Sequence, residues 1–141
     1  MRAHRAKLYS FLIQICLLHA CGKPPDIEIS AAGVRPLLPG RDTTAAYFTL
    51  TNHSARPVTL LGARAATARS IEMHRTRVIG QQVSMQRVPQ VTIAPGEQVE
   101  FAPGGLHLML FGVSEEADPV MITLLLDNDR QLPAAFSKLS L

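Results

Sequence analysis

A chain of 141 residues is enough for one domain and short of two ordinary ones. Hydrophobic residues make up 47% of it, so a core can form without a disulfide framework, and the composition is not that of a disordered chain. The formal charge of +3 resides in the N-terminal segment, where Arg2, Arg5 and Lys7 lie. The rest of the chain is formally neutral, so charge gives no reason to expect a nucleic-acid partner.

In chain order, that basic segment precedes an apolar stretch from Leu8 to Leu18. Its length suits the core of a signal peptide and is too short to span a bilayer. The stretch ends in Leu18-His19-Ala20-Cys21-Gly22, which resembles a bacterial lipobox. Residues 1–20 are therefore expected to be a signal peptide, Cys21 the acylated first residue, and 21–26 a short tether. Residues 27–141 would form the domain, held at the membrane on its periplasmic side. Ordinary cleavage near the same point would instead leave Cys21 as a lone thiol. Cys16 departs with the signal in either case, so no intramolecular disulfide is expected.

Beyond Pro24-Pro25 the chain reads as short alternating or apolar runs split by turn residues. These runs are 27–32, 45–51, 58–63, 70–78, 82–88, 91–94, 98–101, 106–113, 120–126 and 131–137. Asn52-His53-Ser54, Pro95-Gly96 and Pro103-Gly104-Gly105 punctuate them. Strands this short, recurring about every ten residues, predict an all-β fold, an Ig-like antiparallel β-sandwich. No amphipathic helix or internal repeat competes with that reading.

Four residues stand out by type and spacing: His74, Met85, His107 and Met109. Side chains alternate along a strand, so His107 and Met109 face one side. A two-residue turn at Ile79-Gly80 would set His74 directly opposite Met85 on neighbouring strands. Thioethers are soft donors that favour Cu(I), and imidazole suits copper. Zinc prefers thiolate, imidazole and carboxylate, and calcium and magnesium need oxygen ligands. A blue-copper centre requires a thiolate, which residues 22–141 lack. One Cu(I) per chain is the expectation. Because imidazole binds a metal only when deprotonated, retention should weaken below about pH 6.

Other residues have simpler readings. Met73 should face away from His74 and pack, Met121 opens an apolar run and reads as core, and His53 reads as an exposed turn residue. Arg75, Arg77 and Arg87 flank the proposed site, either as a docking surface for an acidic partner or as a solvated face. The charge is uneven: basic residues dominate between 22 and 90 and acidic ones between 91 and 141.

The ligand motif His74…Met85…His107-x-Met109 resembles that of the periplasmic copper chaperones of the PCu(A)C family. The likeness extends to Ile71-Glu72-Met73-His74, Ile93-Ala94-Pro95-Gly96 and Pro103-Gly104-Gly105-Leu106-His107-Leu108-Met109-Leu110, and to Ala45-Ala46-Tyr47-Phe48. It implies a cupredoxin-like β-sandwich carrying Cu(I) at an exposed site through those four residues. It also implies delivery of copper to the binuclear copper site of cytochrome c oxidase, directly or through a second copper chaperone. Some family members add a His/Met-rich tail for a second copper. No His follows His107 here, so a single site on a monomer is expected. Copper storage or tolerance in the envelope would use the same residues, and a structural lipoprotein would use none of them. An enzyme is the weakest alternative, since no nucleophile–base or carboxylate pair stands out by spacing.

Overall fold

The computed structural model describes residues 25–114 and 117–140; Cys21 and the expected signal peptide lie outside these. Ten strands follow in order: β1 (Ile27–Val34), β2 (Thr44–Asn52), β3 (Val58–Arg64), β4 (Ala68–Ile79), β5 (Gln82–Arg87), β6 (Val91–Ile93), β7 (Gln98–Phe101), β8 (Leu106–Val113), β9 (Val120–Leu126) and β10 (Gln131–Lys138). Each predicted run is one of these strands. Their hydrogen-bonded order is β5-β4-β8-β7-β2-β1-β10-β9-β3-β6, with β8 also pairing β2 and β4 also pairing β3.

The last two pairings close the sheet into a ring. Seven strands complete it in the order β4-β8-β2-β1-β10-β9-β3 and back to β4, while β5, β6 and β7 add to its margins. The all-β sandwich expected from the sequence is thus a closed one, largely antiparallel, with parallel pairings at β1–β10 and β7–β8.

Alternation decides what lies inside. Ala46, Phe48 and Leu50 of β2, Leu106, Leu108 and Leu110 of β8, and Ile122, Leu124 and Leu126 of β9 all point inward and are buried. Phe48 stacks on Phe101 at a centroid distance of 4.3 Å and meets Phe136 edge-on at 5.6 Å. Met73 belongs to this core, as its position beside His74 predicted. Met121 does not. It is 55% exposed, because the inward positions of β9 are Val120 and Ile122 on either side of it. An apolar run could not by itself say which of its residues faces out.

One buried polar residue closes the end of the ring where β2 stops. The Asn52 amide nitrogen donates to the carbonyls of Arg56 (2.8 Å) and Ile93 (3.0 Å). Its oxygen accepts from the Ser54 amide and hydroxyl. His53, next to it, is exposed as expected, and its Nε2 lies 2.7 Å from a Glu28 carboxylate oxygen.

The turn between β4 and β5 is Gly80-Gln81, one residue beyond the expected Ile79-Gly80. Gly80 takes φ +61°, which suits the glycine-first two-residue hairpin turn. This moves the register by two. Thr76 sits opposite Met85 and His74 opposite Arg87, so His74 and Met85 are diagonal neighbours instead of a direct pair. A shift of two keeps both on the same face, because side chains alternate with period two.

Candidate metal centre

The same alternation that fills the core with Leu106, Leu108 and Leu110 turns His107 and Met109 to the outer wall. On β4, Met73 points in while Glu72 and His74 point out. The two strands pair antiparallel with His74 opposite His107 and Glu72 opposite Met109. These four side chains form a two-by-two patch on one face of the sheet. β5 adds Met85 at its edge, and β2 brings Tyr47, whose ring centroid is 6.5 Å from that of His107.

A cleft of about 370 Å³ opens here, lined by Arg35, Tyr47, Thr76, Met85, His107 and Met109 among others. Three of the four candidate ligands therefore share one cleft. His74 lies beside it, its ring 6.2 Å from His107 and 6.2 Å from Phe111. A metal–imidazole bond is about 2 Å long, so two rings at this separation can meet a single ion. Burial is graded: His107 is 4% exposed, His74 and Met109 are half-buried, and Met85 is 52% exposed.

Both rings are held by their other nitrogen. The His107 Nδ1–H donates to the Gly105 carbonyl at 3.0 Å, which leaves the lone pair on Nε2. That carbonyl also accepts the Thr76 amide at 3.1 Å, tying β4 to the start of β8. His74 Nε2–H donates to Glu72 at 2.9 Å. The lone pair then falls on Nδ1, which is buried and has no hydrogen-bond partner among the described residues. An orphaned buried acceptor is costly, and a metal ion beside it would remove the cost. A carboxylate–histidine pair of this kind is how proteins orient a metal-binding imidazole. The residues present fit a soft cation: two thioethers, two oriented imidazoles and an unsatisfied ring nitrogen.

Glu72 is the functional candidate that sequence reasoning missed. It lies two residues before His74, so strand alternation alone put it on the same face. Its carboxyl is held below the usual carboxylate range, chiefly by the hydrogen bond from His74, with the nearby Arg87 charge adding to this against the opposing effect of burial. Arg87 Nη1 stands 3.7 Å from it.

Comparison with known proteins agrees with this architecture. The family described as "Putative lipoprotein LpqE-like" matches residues 27–136. A protein of Leifsonia xyli described as "Putative lipoprotein Lxx21020" is 29% identical over 119 residues, covering 81% of this chain and 70% of the relative. Among solved structures, the copper-bound PCuAC domain from PmoF2 superposes with a TM-score of 0.69 at 23% identity, over 83% of this chain and 95% of the other. The Cu(I) form of DR1885 from Deinococcus radiodurans gives 0.62 at 31% identity, over 84% of this chain and 80% of that one. The chain belongs to the LpqE-like family, and its barrel has the cupredoxin-like fold seen in the PCuAC domains.

Proposed function

We propose that this protein is a copper chaperone of the cell envelope, binding one Cu(I) through His74, Met85, His107 and Met109. The observation that carries the reading is the opposed pair His74–His107, each ring fixed through one nitrogen, with Met109 and Met85 on the same face. A related domain, 31% identical, has been solved as its Cu(I) form. The exposed Met85 gives the site an open side through which an acceptor's ligands can replace it one at a time. Thioethers lose no proton on binding, so exchange needs no proton transfer at those positions.

The recipient we propose is the binuclear copper site of cytochrome c oxidase, reached directly or through a second copper chaperone. Acylation of Cys21 would hold the domain at the periplasmic membrane surface, and the lipoprotein descriptions of its relatives support that placement. Anaerobic Cu(I) competition on residues 22–141, beside a His107→Ala/Met109→Ala variant, tests the site. One tight equivalent in the parent and its loss in the variant is the expected result. Equal binding in both, or none, would return these residues to a structural role.

A further inference from the structure

The β4–β5 hairpin leaves the barrel with its apolar residues uncovered. Val78, Ile79 and Val83 are 66–71% exposed, and β5 pairs with no strand but β4 among the described residues. Val78 and Val83 are directly paired and share a face with Met85, whereas Ile79 projects from the opposite face. The tip therefore carries apolar side chains on both faces, Val78 and Val83 on one and Ile79, paired with Gln82, on the other. A contact with one flat protein surface would bury only one of them.

Arg75, Arg77 and Arg87 stand behind this tip, and no acidic residue occurs between Glu72 and Glu97. Glu72 itself is engaged by His74 and Arg87. Apolar residues at an extremity, collared by long cationic side chains, match the layering of a bilayer surface. The apolar groups enter the acyl boundary, and the arginines reach anionic headgroups.

Topology places this tip at the right end of the molecule. β4 and β2 are both antiparallel to β8, so they run the same way, and the end of β2 pairs with the start of β1. The hairpin consequently points toward the end of the barrel where the chain enters at Ile27. The six residues from Cys21 to Asp26 can span at most about 20 Å. A domain anchored at Cys21 keeps that end close to the membrane.

We propose that the β4–β5 hairpin is a membrane-docking finger that inserts Val78, Ile79 and Val83 into an anionic lipid surface. Docking would hold the Met85 edge of the candidate metal site beside the bilayer, within reach of a membrane-embedded acceptor. That orientation toward the membrane rests on the envelope-anchored reading above, whereas lipid binding by the tip can be measured without it. It uses metal-free residues 22–141, which contain every described strand and lack Cys21.

The chain has no tryptophan, so Ile79→Trp places a single reporter at the tip. With vesicles of phosphatidylglycerol and phosphatidylcholine, its emission is expected to shift to the blue, and brominated acyl chains to quench it. Pure phosphatidylcholine should give neither effect. In co-sedimentation, Val78→Asp/Ile79→Asp should abolish binding, and Arg75→Gln/Arg77→Gln should weaken it about 30-fold. Met121→Asp, exposed on β9, should leave it unchanged. No binding of the parent to anionic vesicles overturns the proposal, as does binding that the tip variants do not alter. A dimer that Ile79→Asp splits, without vesicle binding, overturns it in favour of a second copy as the occupant. Copper affinity measured on the same preparations is independent of all these outcomes.

Discussion

The inner and outer faces of β4 and β8 are made by alternate residues of the same two strands, yet they do different work. Inward, Met73, Leu108 and Leu110 are packed on every side and hold the barrel shut. Outward, Glu72, His74, His107 and Met109 sit one residue away, and three of them carry a carboxylate or imidazole that the core could not tolerate unpaired. Rigid strands fixed by the core give the outer face its geometry. The outer residues contribute much less to closure and are free to be chosen for chemistry. The contrast teaches that a candidate site on a barrel wall takes its geometry from the packed layer on the other face of the same strands.

The largest expected effect belongs to the inner face. Leu108→Ala removes a side chain with no exposure, which should cost about 2–5 kcal/mol in denaturant unfolding. His107→Ala, one residue along, should lower apo stability by less and reduce Cu(I) affinity by more than the ~100-fold typical of losing a supporting partner. If the two variants lost stability equally and copper affinity equally, the division between faces would fail.

The methionines sharpen the same comparison within one residue type. Met73→Leu conserves core volume and should change stability by less than about 1.5 kcal/mol, with copper binding intact. Met85→Leu, at an exposed position, should leave the unfolding midpoint alone and weaken Cu(I) binding in competition titrations. The opposite pattern would place the soft ligand inside the barrel.

Glu72 marks a finer division between groups proposed to touch an ion and groups that orient them. Glu72→Gln keeps an acceptor for His74 Nε2–H, so its Cu(I) affinity should stay near that of the parent. Glu72→Ala should lose about 10- to 100-fold. The smallest effect is on pH dependence. The folded protein holds the Glu72 carboxyl below its ordinary range, first through the His74 hydrogen bond. Its stabilising contribution is therefore present above the ordinary glutamate value and fades as pH falls through the lowered one. Unfolding midpoints from neutral to about pH 3 should show Glu72→Gln less stable than the parent at neutral pH, with the gap closing toward acid.

All ten strands could be read from the chain, because apolar alternation and Gly/Pro/Asn punctuation are local properties. The common face of His107 and Met109 could be read for the same reason. So could the inward turn of Met73, which follows from its place beside His74. The sequence alone also determined which donor types are available: imidazoles and thioethers with no thiolate among residues 22–141, a repertoire that favours a soft metal.

Tertiary structure decided the rest. Which strands meet is a long-range matter, so the opposition of His74 and His107 across β4 and β8 had no local signature. The hairpin register moved by two because Gly80 occupies the first turn position instead of the second. Period-two alternation preserved the face while changing the partner. Met121 faces solvent because the closed ring, not the apolar run, defines what is inside. Only the folded chain could show that the buried nitrogen of His74 has no partner among the described residues, since burial and hydrogen bonding belong to the packed molecule.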